Sequence, residues 1–331
     1  MAGVTSPRVV CIGANLESEI ILNGLISIVA NVVGLVTVPR EKASAISDYV
    51  DLHELCRITG IVAIDTDDIN DPATLDRIRG LQPDFLFTLG WSQLFNAELL
   101  ALPKQAVIGS HPSPLPQLRG RAPIPWTILE GHPKSAVTLF RMEAGVDSGP
   151  ILIQKWFDVP PRCYAMELYR LAAENLRVGF VELYRALAAG TVRERPLDPS
   201  RASYRGQRTP ADGQVNFRES AEKIDALIRA VSHPYPGAYA YWGDRKVQIW
   251  KSSLENIPSY LGTAGQILAK RDGRMLVQAG DQPLWISSLT IDGHPARLDE
   301  FPLGSKFGYN LEDEIHQLIL DMKRLKRERQ I

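Results

Sequence analysis

Two residues of this chain have the side chains and the setting for proton chemistry near neutral pH. His111 stands in Ser110-His111-Pro112-Ser113-Pro114-Leu115-Pro116, where the prolines fix φ and remove backbone donors. A loop that stiff positions something. Asp147 follows 36 residues later in Gly145-Val146-Asp147-Ser148-Gly149, between glycines that permit close backbone approach. About one helix and one strand separate them, so the two loops can meet at the edge of a parallel sheet, where α/β proteins place their ligands. A histidine beside an aspartate can move protons there. Spacing alone also allows a structural histidine and an aspartate that closes a turn on its own backbone.

The surrounding elements are of the kind that build such an edge. Arg8–Gly13 reads as a buried strand, followed by a helix from near Asn15 to Ile28 and a β-rich run over Asn31–Val38. Asp48–Thr59 and Asp71–Leu81 read as helices, Asp84–Gly90 and Ala106–Gly109 as strands, Ala122–Glu130 as a helix. Strands over Ala136–Met142 and Ile151–Val159 precede a long helix over Tyr164–Ala189. This alternation predicts βαβ units on a mostly parallel, doubly wound sheet. Arg193–Gln214 is rich in Arg, Pro, Ser and Gly without an apolar period and reads as a linker. Short strands then recur between Ala238 and Leu289, as in a small barrel or sandwich. The tail from Leu311 to Ile331 is helical, with Ile315, Leu318, Ile319, Met322 and Leu325 on one face and bases from Lys323 to Arg329. The expected organisation is a catalytic domain over 1–195, a linker over 196–212, a small β-rich domain over 213–305 and a helical basic tail over 306–331.

Composition narrows the function. A net charge of −1 over 331 residues gives no global attraction to nucleic acid or to an anionic membrane. The start, Met1 to Arg8, lacks the layout of a signal peptide, and no apolar run approaches the roughly 20 residues of a membrane span. Cys11, Cys56 and Cys163 are odd in number and carry no metal-ligand spacing, which fits a reduced cytoplasmic setting and no metal. The lone Gly13 after the first strand lacks the G-x-G-x-x-G spacing of a dinucleotide site.

The run from Ser110 to Gly149, with Arg119-Gly120-Arg121-Ala122-Pro123-Ile124-Pro125-Trp126 inside it, resembles the formyltransferases that use 10-formyltetrahydrofolate. That group includes methionyl-tRNA, glycinamide ribonucleotide and sugar N-formyltransferases. Its N-x-H-P-S-x-L-P pattern, the later D-x-G loop and the interval between them are similar here. The likeness continues through Asp212-Gly213-Gln214-Val215-Asn216-Phe217, Leu227–Val231 and Pro234–Tyr239, which look like the start of the family's smaller C-terminal domain.

The resemblance implies a formyltransferase Rossmann-like domain, a smaller OB-like domain, and formyl transfer from the 10-formyltetrahydrofolate co-substrate to an amine. His111 would stabilise the oxyanion at the formyl carbon and move protons, and Asp147 would hold the imidazole or a bridging water. Folate would lie against Leu89, Gly90, Trp91, Val146 and Asp147. The acceptor would lie against Ser113, Arg119, Arg121 and Trp126. For the arginines the plainer reading is a structural ion pair, and for the tryptophans a place in the core. One position departs from the pattern: the family's asparagine falls on Gly109. Losing an oxyanion donor of that kind typically costs about 100- to 1,000-fold in rate, unless the Gly109 N–H, the Ser110 hydroxyl or a water substitutes.

The neutral charge and the Arg119–Pro123 run favour a nucleotide-linked amino sugar as acceptor. Methionyl-tRNA is the nearer rival, and the amine of a secondary-metabolite precursor another. From a different class comes a non-catalytic folate- or sugar-nucleotide-binding protein, which Gly109 favours and the His111–Asp147 pair opposes. The apolar faces of the late strands and tail helix suit a homodimer.

Overall fold

The computed structural model describes residues 6–309 and 311–328, and the chain divides into a unit ending at Arg208 and a unit beginning at Thr209. The first contains β1 (Val9–Ile12), α1 (Leu16–Ser27), β2 (Val32–Thr37), α2 (His53–Thr59), β3 (Val62–Asp65), α3 (Pro72–Gly80), β4 (Phe85–Thr88) and α4 (Ala97–Ala101). It continues with β5 (Ala106–His111), β6 (Arg119–Gly120), α5 (Pro123–Leu129), β7 (Lys134–Arg141), β8 (Ile151–Asp158), α6 (Ala165–Ala189) and β9 (Tyr204–Arg205).

Seven strands form a sheet in the order β3-β2-β1-β4-β5-β7-β8. The first five run parallel, and β7 and β8 add an antiparallel edge. Both faces are covered, as the apolar run of β1 requires. On one face Val10, Ile12, Val36, Ile64, Leu86 and Val107 pack with Leu75, Ile78 and Leu99. On the other, α1 packs on α6, and the Phe87 and Phe180 rings lie 5.2 Å apart. The chain leaves β1 toward β2 and β3, then returns across β1 to β4. That reversal is a topological switch point, with a crevice outside the carboxyl ends of β1 and β4.

Three boundaries differ from the sequence-based expectations. His111 is the last residue of β5 rather than part of a loop, because Ser110 and His111 extend the ladder against Leu139 and Thr138 of β7. α2 begins at His53 rather than Asp48, because the preceding backbone is engaged elsewhere: Leu16 N–H donates to Asp48 O and Val50 N–H to Ala14 O. The expected linker is stitched to the first unit. Arg195 exchanges both backbone hydrogen bonds with Ile151, and β9 pairs in parallel with β6.

The second unit holds α7 (Ala221–Val231), β10 (Ala238–Trp242), β11 (Arg245–Ser253), β12 (Ile267–Arg271), β13 (Arg274–Gln278), β14 (Pro283–Ile291), β15 (His294–Pro295) and α8 (Leu311–Glu328). Its antiparallel sheet runs β10-β11-β14-β13-β12, with β15 on β14. Met1–Thr5 and Arg329–Ile331, which carry part of the expectations for the two termini, lie outside the described residues. The three cysteines are buried thiols. Among the described residues no helix is long and apolar enough to cross a membrane.

The Phe87–Phe180 contact joins the sheet to α6 with both rings fully buried. Phe180→Ala is expected to lower unfolding free energy by about 3–5 kcal/mol in urea titration; a loss below about 1 kcal/mol would mean the face repacks without it.

Candidate active site

His111 ends its strand where Pro112 can no longer supply an N–H to the ladder. The imidazole is buried, and its Nε2–H donates to the Leu118 carbonyl at 2.9 Å. A carbonyl only accepts, so Nε2 carries a proton and Nδ1 is left as the ring atom able to take or give one. Nδ1 faces Asp147 Oδ2 at 3.9 Å, beyond hydrogen-bond length. That carboxylate oxygen is held by the Gly120 N–H at 3.1 Å. The two expected partners are thus neighbours, with a small gap between them. Leu118 (φ +57°) and Asp147 (φ +48°) both adopt the left-handed region, which non-glycine residues occupy at some cost and which clusters at functional sites.

The loop between β5 and β6 is fixed from several sides. Thr138 Oγ1 donates to Ser113 O at 2.7 Å, Gln154 Nε2 to Leu115 O at 2.9 Å, and Ser113 Oγ to Gln117 O at 2.9 Å. Leu118 N–H donates to Ser203 Oγ and Arg119 N–H to Ser203 O. A Cβ on Gly120 would come within 2.5 Å of Arg205 O, so the approach of β9 to β6 requires glycine there. Ser113 is fully buried, and its hydroxyl braces the loop. Trp126 donates from Nε1 to Gly206 O, and the Arg208 guanidinium lies over its ring at 5.2 Å. Arg121 is exposed and reaches toward Ser92 O at 3.5 Å.

Arg119 differs from these. Its side chain is buried, Nη1 donates to the Tyr204 hydroxyl at 3.1 Å, and its guanidinium lies 5.8 Å from the Tyr204 ring centre. Its Nε has no hydrogen-bond partner, and no carboxylate pairs with it among the described residues. A buried cation without a counter-charge is costly; an anion is the group that would complete it.

At the switch point lies a cavity of about 470 Å³, lined in part by Asn15, Lys42, Asp48, Asp67, Trp91 and Gln93. Gly90 lines it too, and the β4 loop is tied to α1 through Ser18 Oγ to Leu89 O (2.6 Å) and Asn15 Nδ2 to Gly90 O (3.2 Å). Trp91 contributes a buried indole N–H that no described residue accepts. Leu89 is wholly buried, whereas Val146 is exposed on the loop that carries Asp147.

Gly109 has no room for the expected amide. A Cβ there would lie 2.9 Å from both Met142 Cγ and Phe140 Cζ. Ser110 projects to the opposite face of the strand, where its Oγ lies 2.9 Å from Thr88 O and 3.1 Å from Glu17 Oε1. One hydroxyl proton cannot serve two acceptors. Both contacts are hydrogen bonds together only when the Glu17 carboxyl is protonated and donates to Ser110 Oγ. Burial pushes the Glu17 carboxyl up to about 7, with the Asp48 charge adding to the rise and the Ser110 hydrogen bond opposing it. Behind it, Glu17 N–H donates to the Tyr169 hydroxyl, which donates to Asp48.

Glu17, Leu118, Ser203 and Tyr204 carry no signal in the sequence. An acid in the first turn of a helix is already explained by the helix dipole, and the others act through backbone or a single hydroxyl.

Two family models match the chain: formyl transferase over residues 25–182, and formyl transferase, C-terminal domain, over residues 208–304. Among solved structures, HypX from Aquifex aeolicus in complex with tetrahydrofolic acid is similar at 14% identity and TM-score 0.64, over 92% of this chain and 51% of that one. The chain spans about half the length of the HypX structures it matches. An N-formyltransferase from Helicobacter canadensis, in complex with folinic acid and dTDP-3-aminofucose, is similar at 18% identity and TM-score 0.64, over 86% and 99% of the two chains. Methionyl-tRNA formyltransferase from Clostridium thermocellum is similar at 16% identity and TM-score 0.57, over 75% and 93%.

Two outcomes follow from the geometry around Gly109 and Glu17. Gly109→Asn is expected to lower stability by about 1–3 kcal/mol through crowding of Phe140 and Met142, read as a fall in melting temperature; an unchanged melting temperature would refute the crowding. The Glu17 carboxyl stays neutral in the fold up to about pH 7, while the unfolded chain ionises it from about 4.5 upward. Its contribution is therefore fully present below that pH and lost as pH rises through about 7. Glu17→Gln should leave stability unchanged at pH 4 and raise it by up to about 3 kcal/mol at pH 8. Equal urea midpoints for the two proteins at pH 8 would argue against a raised Glu17 carboxyl.

Proposed function

The chain belongs to the formyl transferase family, and from that premise we propose that it moves a formyl group from 10-formyltetrahydrofolate to the amine of a nucleotide-linked amino sugar. The observation that carries the choice of acceptor is Arg119, a buried guanidinium without a carboxylate partner among the described residues, one position from the Gly120 N–H that holds Asp147. A diphosphate is the counter-charge it suits, and Arg121 adds a second cation to the same loop. The net charge of −1 speaks for a small anionic acceptor over tRNA.

When bound, 10-formyltetrahydrofolate supplies the activated formyl group. Of the residues expected to hold the folate, Gly90 and Trp91 line the cavity at the switch point, with the Trp91 Nε1–H as a buried donor in want of an acceptor. His111 Nδ1 takes the proton that the amine must lose, because Nε2 is committed to Leu118. Asp147 keeps its carboxylate beside that nitrogen and stabilises the imidazolium once formed. Gly109 offers no side chain and the Ser110 hydroxyl is engaged on the far face, so the charge on the formyl oxygen is met by the Nδ1–H that His111 gains from the amine, and that proton then passes to the folate nitrogen as its bond to the formyl carbon breaks.

Incubation with 10-formyltetrahydrofolate and a panel of nucleotide diphosphate amino sugars, following released tetrahydrofolate, tests the reading. Turnover with at least one sugar is expected, with His111→Ala lowering kcat by about 100-fold or more and Arg119→Ala acting chiefly on KM. Turnover with charged initiator tRNA alone would overturn the acceptor. Tight folate binding without turnover on any amine would favour a non-catalytic binding protein.

A further inference from the structure

No residue named in the site lies on helix α8. Every side chain from Glu314 to Glu328 is exposed, and among them Ile315, Leu318, Met322 and Leu325 leave 55–61% of their surface open. These four recur at intervals of three, four and three residues. Alternating steps of three and four set them on the a and d positions of a heptad, the seam along which two helices pair. The order is a, d, a, d, with isoleucine and methionine at a and leucine at both d positions. Isoleucine at a with leucine at d favours two parallel strands. Ile319 at e widens the stripe and is also exposed. α8 lies beyond residue 304, where the C-terminal family match ends.

We propose that α8 pairs with α8 of a second copy of this chain as a short parallel coiled coil, making the protein a homodimer. The flanking charges choose both the partner and the direction. In a parallel pair, a g residue faces the e residue five positions on in the other helix. Asp321 at g then meets Lys326 at e, and symmetry makes the contact twice. An antiparallel pair sets g against g, bringing the acids Glu314, Asp321 and Glu328 of one helix toward the same acids of the other. Lys323, Arg324 and Arg327 fall on outer positions, and Arg324 is tied within its own helix to Glu328 at 2.9 Å. These bases stay in water and leave the seam apolar. An isolated helix of 18 residues is only marginally stable in water, and covering its stripe is what a second strand supplies.

Sedimentation velocity of the full chain over a concentration series reads the assembly directly. A species of twice the 36.7 kDa chain mass is expected, reverting to monomer in the double variant Leu318→Glu, Leu325→Glu, whose exposed sites leave the folded units intact by circular dichroism. Asp321→Lys should weaken the dimer about tenfold, and adding Lys326→Asp in the same chain should restore it. Leu318→Cys should cross-link to its own counterpart under mild oxidation, as a parallel pair requires. A monomer at every concentration, or a dimer that survives the double glutamate variant, overturns the proposal. So does a monomer that uses α8 to bind phosphatidylserine vesicles or bulk tRNA. A dimer without the 318–318 cross-link overturns the parallel direction.

Discussion

The hydrogen bond from His111 Nε2–H to the Leu118 carbonyl organises the candidate site. It fixes which ring nitrogen is protonated, and so leaves Nδ1 for chemistry beside Asp147. It also spans the loop from the end of β5 to the start of β6, so that the imidazole and the Gly120 N–H holding Asp147 belong to one rigid piece. That rigidity is built from elsewhere. Thr138 and Gln154 brace the loop from the antiparallel edge, and Ser203 braces it from a segment more than eighty residues on. The left-handed backbone at Leu118 and Asp147 persists because so many contacts determine it.

The opposite face of β5 carries a second constraint. Ser110 links the strand to Thr88 at the end of β4 and to Glu17 at the start of α1. These three elements converge at the switch point, where the parallel ladder between β4 and β5 has already ended at Phe87 and Ile108. A neutral carboxyl in that position lets the Ser110 hydroxyl bond Thr88 and Glu17 at once, whereas an ionised one would sit buried with the Asp48 charge nearby. Alternation along the strand thus separates two settings: His111 faces Asp147, and Ser110 holds the strand.

Gly109 takes its meaning from the same alternation. A missing amide donor suggests weakened catalysis when only residue types are compared. Packing gives the absence a structural counterpart, because Phe140 and Met142 fill the space a side chain would need. The Arg119 guanidinium and the Trp91 indole N–H are unsatisfied in the complementary sense: each is a buried donor for which the described residues provide no full complement of acceptors. A binding site leaves such donors open when the ligand supplies the missing acceptors.

The sequence by itself determined the alternation of strands and helices, the His111–Asp147 interval and the formyltransferase resemblance, because apolar periodicity and a proline-framed motif are local and survive in one dimension. It also contained the α8 heptad, which is again a matter of spacing. Only the tertiary structure decided that His111 ends a strand, that Asp147 stands 3.9 Å away, and that residues read as a linker brace the Leu118–Gly120 turn. It alone set the engagement of Ser110 by Glu17, the crowding at Gly109 and the lack of a carboxylate for Arg119 among the described residues. The physical reason is common to all of these. Hydrogen-bond partners, burial and free space are properties of neighbours brought together across tens of residues, and no window along the chain contains both members of such a pair.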